Sequence, residues 1–148
     1  MVLLIIVSVA GLVVSAGLHI CVIFHIYYPP RELMMLIQMG SFALVYSAMY
    51  VSKKTRGLAE RKEFNDKMFK ACPGWLLTMT GVLIIYALAG FVFFVFKRYS
   101  AEATVTNNEE AIGNRFQLFT VSLMVLYSVA LSIFYSCRSL QRCAEGEL

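Results

Sequence analysis

The chain has 148 residues, of which 59% are hydrophobic and 15% charged, with a formal net charge of +4. Both fractions lie far from those of a soluble domain, and once four membrane spans are counted the length leaves no room for a separate soluble domain. The basic excess is not a nucleic-acid signal, because it gathers between two apolar runs, where the positive-inside rule accounts for it.

Residues 2–28, 33–52, 73–96 and 116–137 form runs with no Asp, Glu, Lys or Arg. Each reaches about 20 residues or more, the length a helix needs to cross ~30 Å of hydrocarbon. The expected fold is all-α: a polytopic four-transmembrane-helix bundle, a single transmembrane domain over residues 1–148, with both termini cytoplasmic.

The first run does not read as a cleaved signal peptide. No Lys or Arg precedes it, and it ends in Tyr27-Tyr28-Pro29-Pro30 in place of small residues. It reads as a retained span carrying two polar or small-residue lines. Gly11, Ser15 and His19 form one; Gly17, Cys21 and His25 form the other. At 100° per residue Ser15 and Gly17 point about 200° apart, so this helix offers contacts on two nearly opposite faces. One face suits the bundle and the other a second protein or a second copy.

Pro29-Pro30 stops the first helix and sets a tight reversal, which makes spans one and two antiparallel neighbours. The second span gains slight polarity from Gln38, Gly40 and Ser41. Its Met34, Met35 and Met39 read as packing or lipid-facing residues before they read as copper ligands. Residues 53–72 follow, with Lys53, Lys54, Arg56, Arg61, Lys62, Lys67 and Lys70. The i,i+4 pairs Arg56/Glu60, Glu63/Lys67 and Asp66/Lys70 predict a helix, with Phe64, Met68 and Ala71 on one side. It is read as an amphipathic segment on the membrane or an extension of span two, its lysines drawn to anionic lipid.

Pro73-Gly74 restarts the chain as span three, with Trp75 as an interfacial anchor. Gly74, Thr78, Gly81 and Gly90 are its small positions. Residues 97–115 read as a polar outer connector centred on Thr106-Asn107-Asn108-Glu109-Glu110. In the fourth span Ser128, Ser132 and Ser136 repeat every fourth residue and share a face, a seam for packing against another helix. The basic residues of the 53–72 segment, with Arg138 and Arg142 of the tail, outnumber those of the other side. Charge therefore places both termini and residues 53–72 in the cytoplasm, with 29–32 and 97–115 outside.

Little chemistry is available. No P-loop, GxGxxG, HExxH, GxSxG or paired-carboxylate arrangement occurs, so no catalytic residue is assigned. Cys21, Cys72, Cys137 and Cys143 form no CxxC pair and read as free thiols, with Cys137 or Cys143 open to palmitoylation. Cys21 and His25 make at most half a metal site. His25 reads as an interfacial polar residue. His19 lies deeper and needs a hydrogen-bonding partner on a neighbouring helix. The sharper reading makes His19 and His25 candidate cofactor residues for haem or quinone, His19 favoured. They differ by about 240° and cannot clamp one haem from both sides.

The leading expectation is a non-catalytic integral membrane subunit or scaffold without a cofactor. It would meet membrane lipids through Lys53, Lys54, Arg56 and Trp75, and other integral subunits or its own copies through its helix seams. A haem- or quinone-binding electron-transfer subunit and an oligomeric pore lined by the span-four serines are the alternatives. A plasma or bacterial inner membrane is favoured over an organelle membrane.

Overall fold

The computed structural model describes residues 1–56, 61–101 and 108–144, and these are helical with short connections. In chain order the helices are α1 (Val2–Ile23), α2 (Arg31–Arg56), α3 (Arg61–Ala71), α4 (Gly74–Ala101) and α5 (Asn108–Ala144). Four are long and apolar enough to cross a membrane: Val2–Ile23, Glu32–Thr55, Gly74–Phe96 and Arg115–Cys143.

α1 ends at Ile23, short of the end of its apolar run at residue 28. The cause is a backbone turn. His25 adopts a left-handed φ of 53°, the amide of His25 donates to the Val22 carbonyl at 3.2 Å, and that of Ile26 to the Cys21 carbonyl at 3.0 Å. This pair of bonds is a Schellman closure, which satisfies carbonyls that the helix end leaves free. After the buried Pro29, the Met34 amide reaches back to the Pro30 carbonyl at 3.2 Å and α2 begins. Glu32 in its first turn suits the helix dipole.

At the other end the Leu76 and Leu77 amides donate to the Pro73 carbonyl at 3.0 and 3.2 Å, so Pro73 opens α4. Residues 53–56 are the end of α2 and Arg61–Ala71 is the short helix α3, which packs against α5. The described residues of the 97–115 segment are helical: α4 runs on to Ala101 and α5 starts at Asn108. Helical hydrogen bonding does not need an apolar run, so it continues past the ends of both spans. Glu60, Thr106 and Asn107, and with them the Arg56/Glu60 pair and the middle of the 97–115 segment, lie outside the described residues, as do the side chains of Arg56, Glu63 and Phe64.

α5 is the hub. α1, α2, α3 and α4 all pack against it, whereas α1 and α2 touch each other only sparingly. The two are antiparallel as the Pro29-Pro30 reversal requires, but Tyr127 of α5 fills the groove between them. A methyl group built on Gly11 would come 2.6 Å from Tyr127 Cζ, and the Tyr127 hydroxyl donates to the Ile37 carbonyl at 3.2 Å. Around this wedge Leu44, Ala48, Leu123, Ala130 and Phe134 form the main core. Cys72, Leu76 and Leu131 form a smaller cluster under α3.

The register along α5 fixes the direction of each helix. Gly11 meets Tyr127, His19 meets Thr120, and the His25 ring lies beside Gly113. α1 is therefore antiparallel to α5. Thr80 meets Ser132, and Gly90 faces Leu118, so α4 is antiparallel too. α2 runs parallel to α5, from Ile37 beside Tyr127 to Thr55 beside the Cys137 thiol. The start of α1, the end of α2, α3, the start of α4 and the end of α5 thus gather at one end of the bundle, and His25–Pro30 lies at the other.

Candidate functional site

His19 is the most deeply placed ionisable side chain of α1, about 6 Å before the helix end at 1.5 Å per residue, and it is 6% exposed. Its Nδ1 lies 2.8 Å from the Thr120 hydroxyl of α5, and its Nε2 lies 3.1 Å from the Tyr86 hydroxyl of α4. One imidazole therefore ties three helices together. The His19 and Tyr86 rings meet edge to face, 5.7 Å between centroids at 81°. Thr120 is fully buried and its hydroxyl also lies 3.0 Å from the Phe116 carbonyl and 2.9 Å from the Gln117 carbonyl.

Polar accounting selects one arrangement of protons for the chain alone. Thr120 donates to a carbonyl of its own helix and accepts Nδ1–H, and Nε2 accepts the Tyr86 O–H. Every donor then has an acceptor, as an apolar setting demands.

Beside this triad a cleft of about 290 Å³ opens between α4 and α5, with His19 and Tyr86 at its polar end. Gly90, Phe93, Gln117 and Leu118 are among its walls. Gly90 keeps it open, since a Cβ there would meet nothing closer than Leu118 Cδ1 at 4.0 Å. Tyr86, Gly90 and Phe93 are exposed on the helix surface, so the cleft opens sideways, toward where lipid would lie. A second cavity of about 320 Å³ lies where α3, α4 and α5 meet, bordered by Met68, Cys72, Thr80 and Ser132, and it has no ionisable group other than the Cys72 thiol.

His25 plays a different part. It is exposed at the end of α1, its Nδ1 is hydrogen-bonded to the Tyr28 hydroxyl, and the Tyr28 ring leans on Phe116 with 5.8 Å between centroids. The structure does not bring it to His19's cleft. Cys21 is half-buried, and among the described residues no group of three His, Cys, Asp or Glu side chains is placed to hold a metal ion.

The two lines on α1 separate. Ser15 is buried, as is Ser8 about two turns earlier, and both bond back to their own helix at 2.8 Å. With Gly11 under Tyr127 and His19 on Thr120, this line is the face that α5 covers. Gly17 has nothing within 4 Å of a built Cβ. In α5, Ser128 and Ser136 are buried, and Ser128, Ser132 and Ser136 donate to Val125, Ser128 and Ser132 carbonyls at 2.8–2.9 Å. Ser132 also meets Thr80 of α4 at 3.2 Å. In α4, Gly74 and Gly81 have open space around them. Lys53, Lys54 and Trp75 are exposed at the α3 end.

The sequence reading passed over Tyr86, Thr120 and Tyr127. The signal was present: a tyrosine in the middle of an apolar run is far from the interfacial belts where tyrosines normally sit, and it needs a partner for its hydroxyl.

Among the described residues the chain is thus all-helical, with four helices fit to cross a membrane, three of them packed on the fourth, α5, and with a histidine-based polar junction and a side cleft. No protein-family model, curated protein or solved structure matches it.

Proposed function

We propose that the chain is a non-catalytic, multi-pass integral membrane subunit or scaffold that assembles with other integral subunits or with its own copies. Both termini and the α2–α3 region face the cytoplasm, Lys53 and Lys54 lie at the headgroups, and a plasma or bacterial inner membrane is the favoured site.

The observation that carries this reading is the split of α1 into two unlike faces. The Gly11–Ser15–His19 face is filled by α5, while Gly17 on the opposite face has no neighbour within 4 Å. Small residues left open on a membrane helix permit the close backbone approach by which helices associate in lipid. Gly74, exposed at the start of α4, offers the same. The serine face of α5 lends less support to a pore, because its hydroxyls are spent on backbone carbonyls within the bundle. A haem-ligating role draws no support from His19, since both its ring nitrogens are engaged by Thr120 and Tyr86.

The test is co-purification in mild detergent with Gly17→Leu and Gly74→Leu variants, each checked for an unchanged unfolding midpoint. Loss of the complex or oligomer in either variant is the expected result. A complex unchanged in both, at wild-type yield, would end the proposal.

A further inference from the structure

The cleft between α4 and α5 goes beyond the scaffold reading. We infer that it is a binding site for the headgroup of a lipid-soluble quinone, with the Tyr86 hydroxyl as its hydrogen-bonding contact.

Three features of the site point to this ligand class. The first is size and access. About 290 Å³ lies at the lower edge of ordinary ligand pockets, ~300 Å³, which suits one substituted ring and leaves a prenyl tail outside. The mouth is on the apolar helix surface, at Gly90 and Phe93, so the ligand arrives from the bilayer. The second is the wall. Phe93 flanks the space and Gly90 adds no side chain to it, which leaves room for a planar ring edge-on or stacked.

The third is the polar end. A neutral imidazole has one donor nitrogen and one acceptor nitrogen, and the two tautomers reverse them. When Thr120 donates to the Phe116 or Gln117 carbonyl, Nδ1–H donates to Thr120 and Tyr86 donates to Nε2. The Tyr86 oxygen then keeps a lone pair free for an incoming hydroxyl. When Thr120 turns its proton to Nδ1, Nε2–H donates to Tyr86, and the Tyr86 proton is free for an incoming carbonyl. The Thr120–His19–Tyr86 junction therefore serves both a carbonyl and a hydroxyl without placing any charge in the membrane. A quinone presents the first group and its quinol the second. A fatty acyl chain uses neither, and a sterol only the hydroxyl.

The experiment uses the full chain in phosphatidylcholine nanodiscs, labelled with a photoreactive azidoquinone and challenged with decylubiquinone or decylubiquinol. Labelling is expected on α4 near residues 86–94 and on α5 near 117–121, displaced by both competitors. Tyr86→Phe, which keeps the ring, should weaken decylubiquinone binding about tenfold, equivalent to about 1.4 kcal/mol. Gly90→Leu, at an open position, should abolish it, with circular dichroism and elution volume unchanged in both variants. Labelling spread over all lipid-facing helices, wild-type affinity in both variants, or displacement by cholesterol as effective as by decylubiquinone would each overturn the assignment.

Discussion

His25 shows why a residue's role can lie in its backbone. The ring invites a ligand reading, yet the structural consequence is that the residue sits at φ 53° and closes α1. An L-residue in the left-handed region costs roughly 1–2 kcal/mol, least for residues whose side chains bond locally, and the His25 ring does bond locally, to Tyr28. His25→Gly should therefore hold or raise the unfolding midpoint in detergent. His25→Val, β-branched and unable to reach Tyr28, should lower it. Equal midpoints for the two would show that the turn is set elsewhere. His19 was legible to the extent that a buried imidazole needs partners; which hydroxyls serve was not, because Thr120 and Tyr86 lie 101 and 67 residues away in sequence. Thr120→Val keeps the shape and removes the hydroxyl. It should cost about 1–3 kcal/mol, the range for a buried polar group left unpaired, with Thr120→Ser restoring most of it. Denaturant titration of the three proteins decides it.

At the scale of helices, the length and spacing of the spans could be read directly from where charge is absent, and the α3 helix from its i,i+4 pairs. Helix ends could not. α1 ends early because of one turn, and α4 and α5 run past their apolar limits because hydrogen bonding within a helix is indifferent to side-chain polarity. Nor could the extent of contact between α1 and α2 be read from their order. A short reversal makes two helices adjacent in sequence, but Tyr127 enters from a third helix and holds them apart. Gly11 exists under that ring, and the ring is pinned by its bond to Ile37. Gly11→Ala should therefore destabilise by about 1–3 kcal/mol, the usual cost of overpacking. Pairing it with Tyr127→Leu should recover part of that loss, since the smaller side chain removes the overlap. A double-mutant cycle on unfolding free energies measures the coupling, and additive effects would mean that α1 simply shifts away from α5.

At the scale of the whole molecule, hydropathy is a poor guide to which helix is central. α4 is at least as apolar as α5, yet 6% of its span window is buried against 44% for α5. In lipid the surface and the interior are alike in polarity, so the pattern that marks a buried face in water is missing. What distinguishes α5 is its run of small hydroxyl residues, and the register of α1, α2 and α4 along it sets the up-and-down order. That order brings the α2–α3 basic residues and the end of α5 to one end of the bundle, the end proposed above, on the positive-inside rule, to face the cytoplasm. The chain carries its own probe for this. Cys21 is half-buried, Cys72 and Cys137 are buried, and Cys143 is exposed near the end of α5. A membrane-impermeant maleimide should leave Cys143 unmodified in intact cells and modify it once the membrane is permeabilised, with Cys143→Ser as the blank. Modification of Cys143 in intact cells would place Lys53, Lys54 and Arg142 outside, and the cytoplasmic assignment of both termini would have to be reversed.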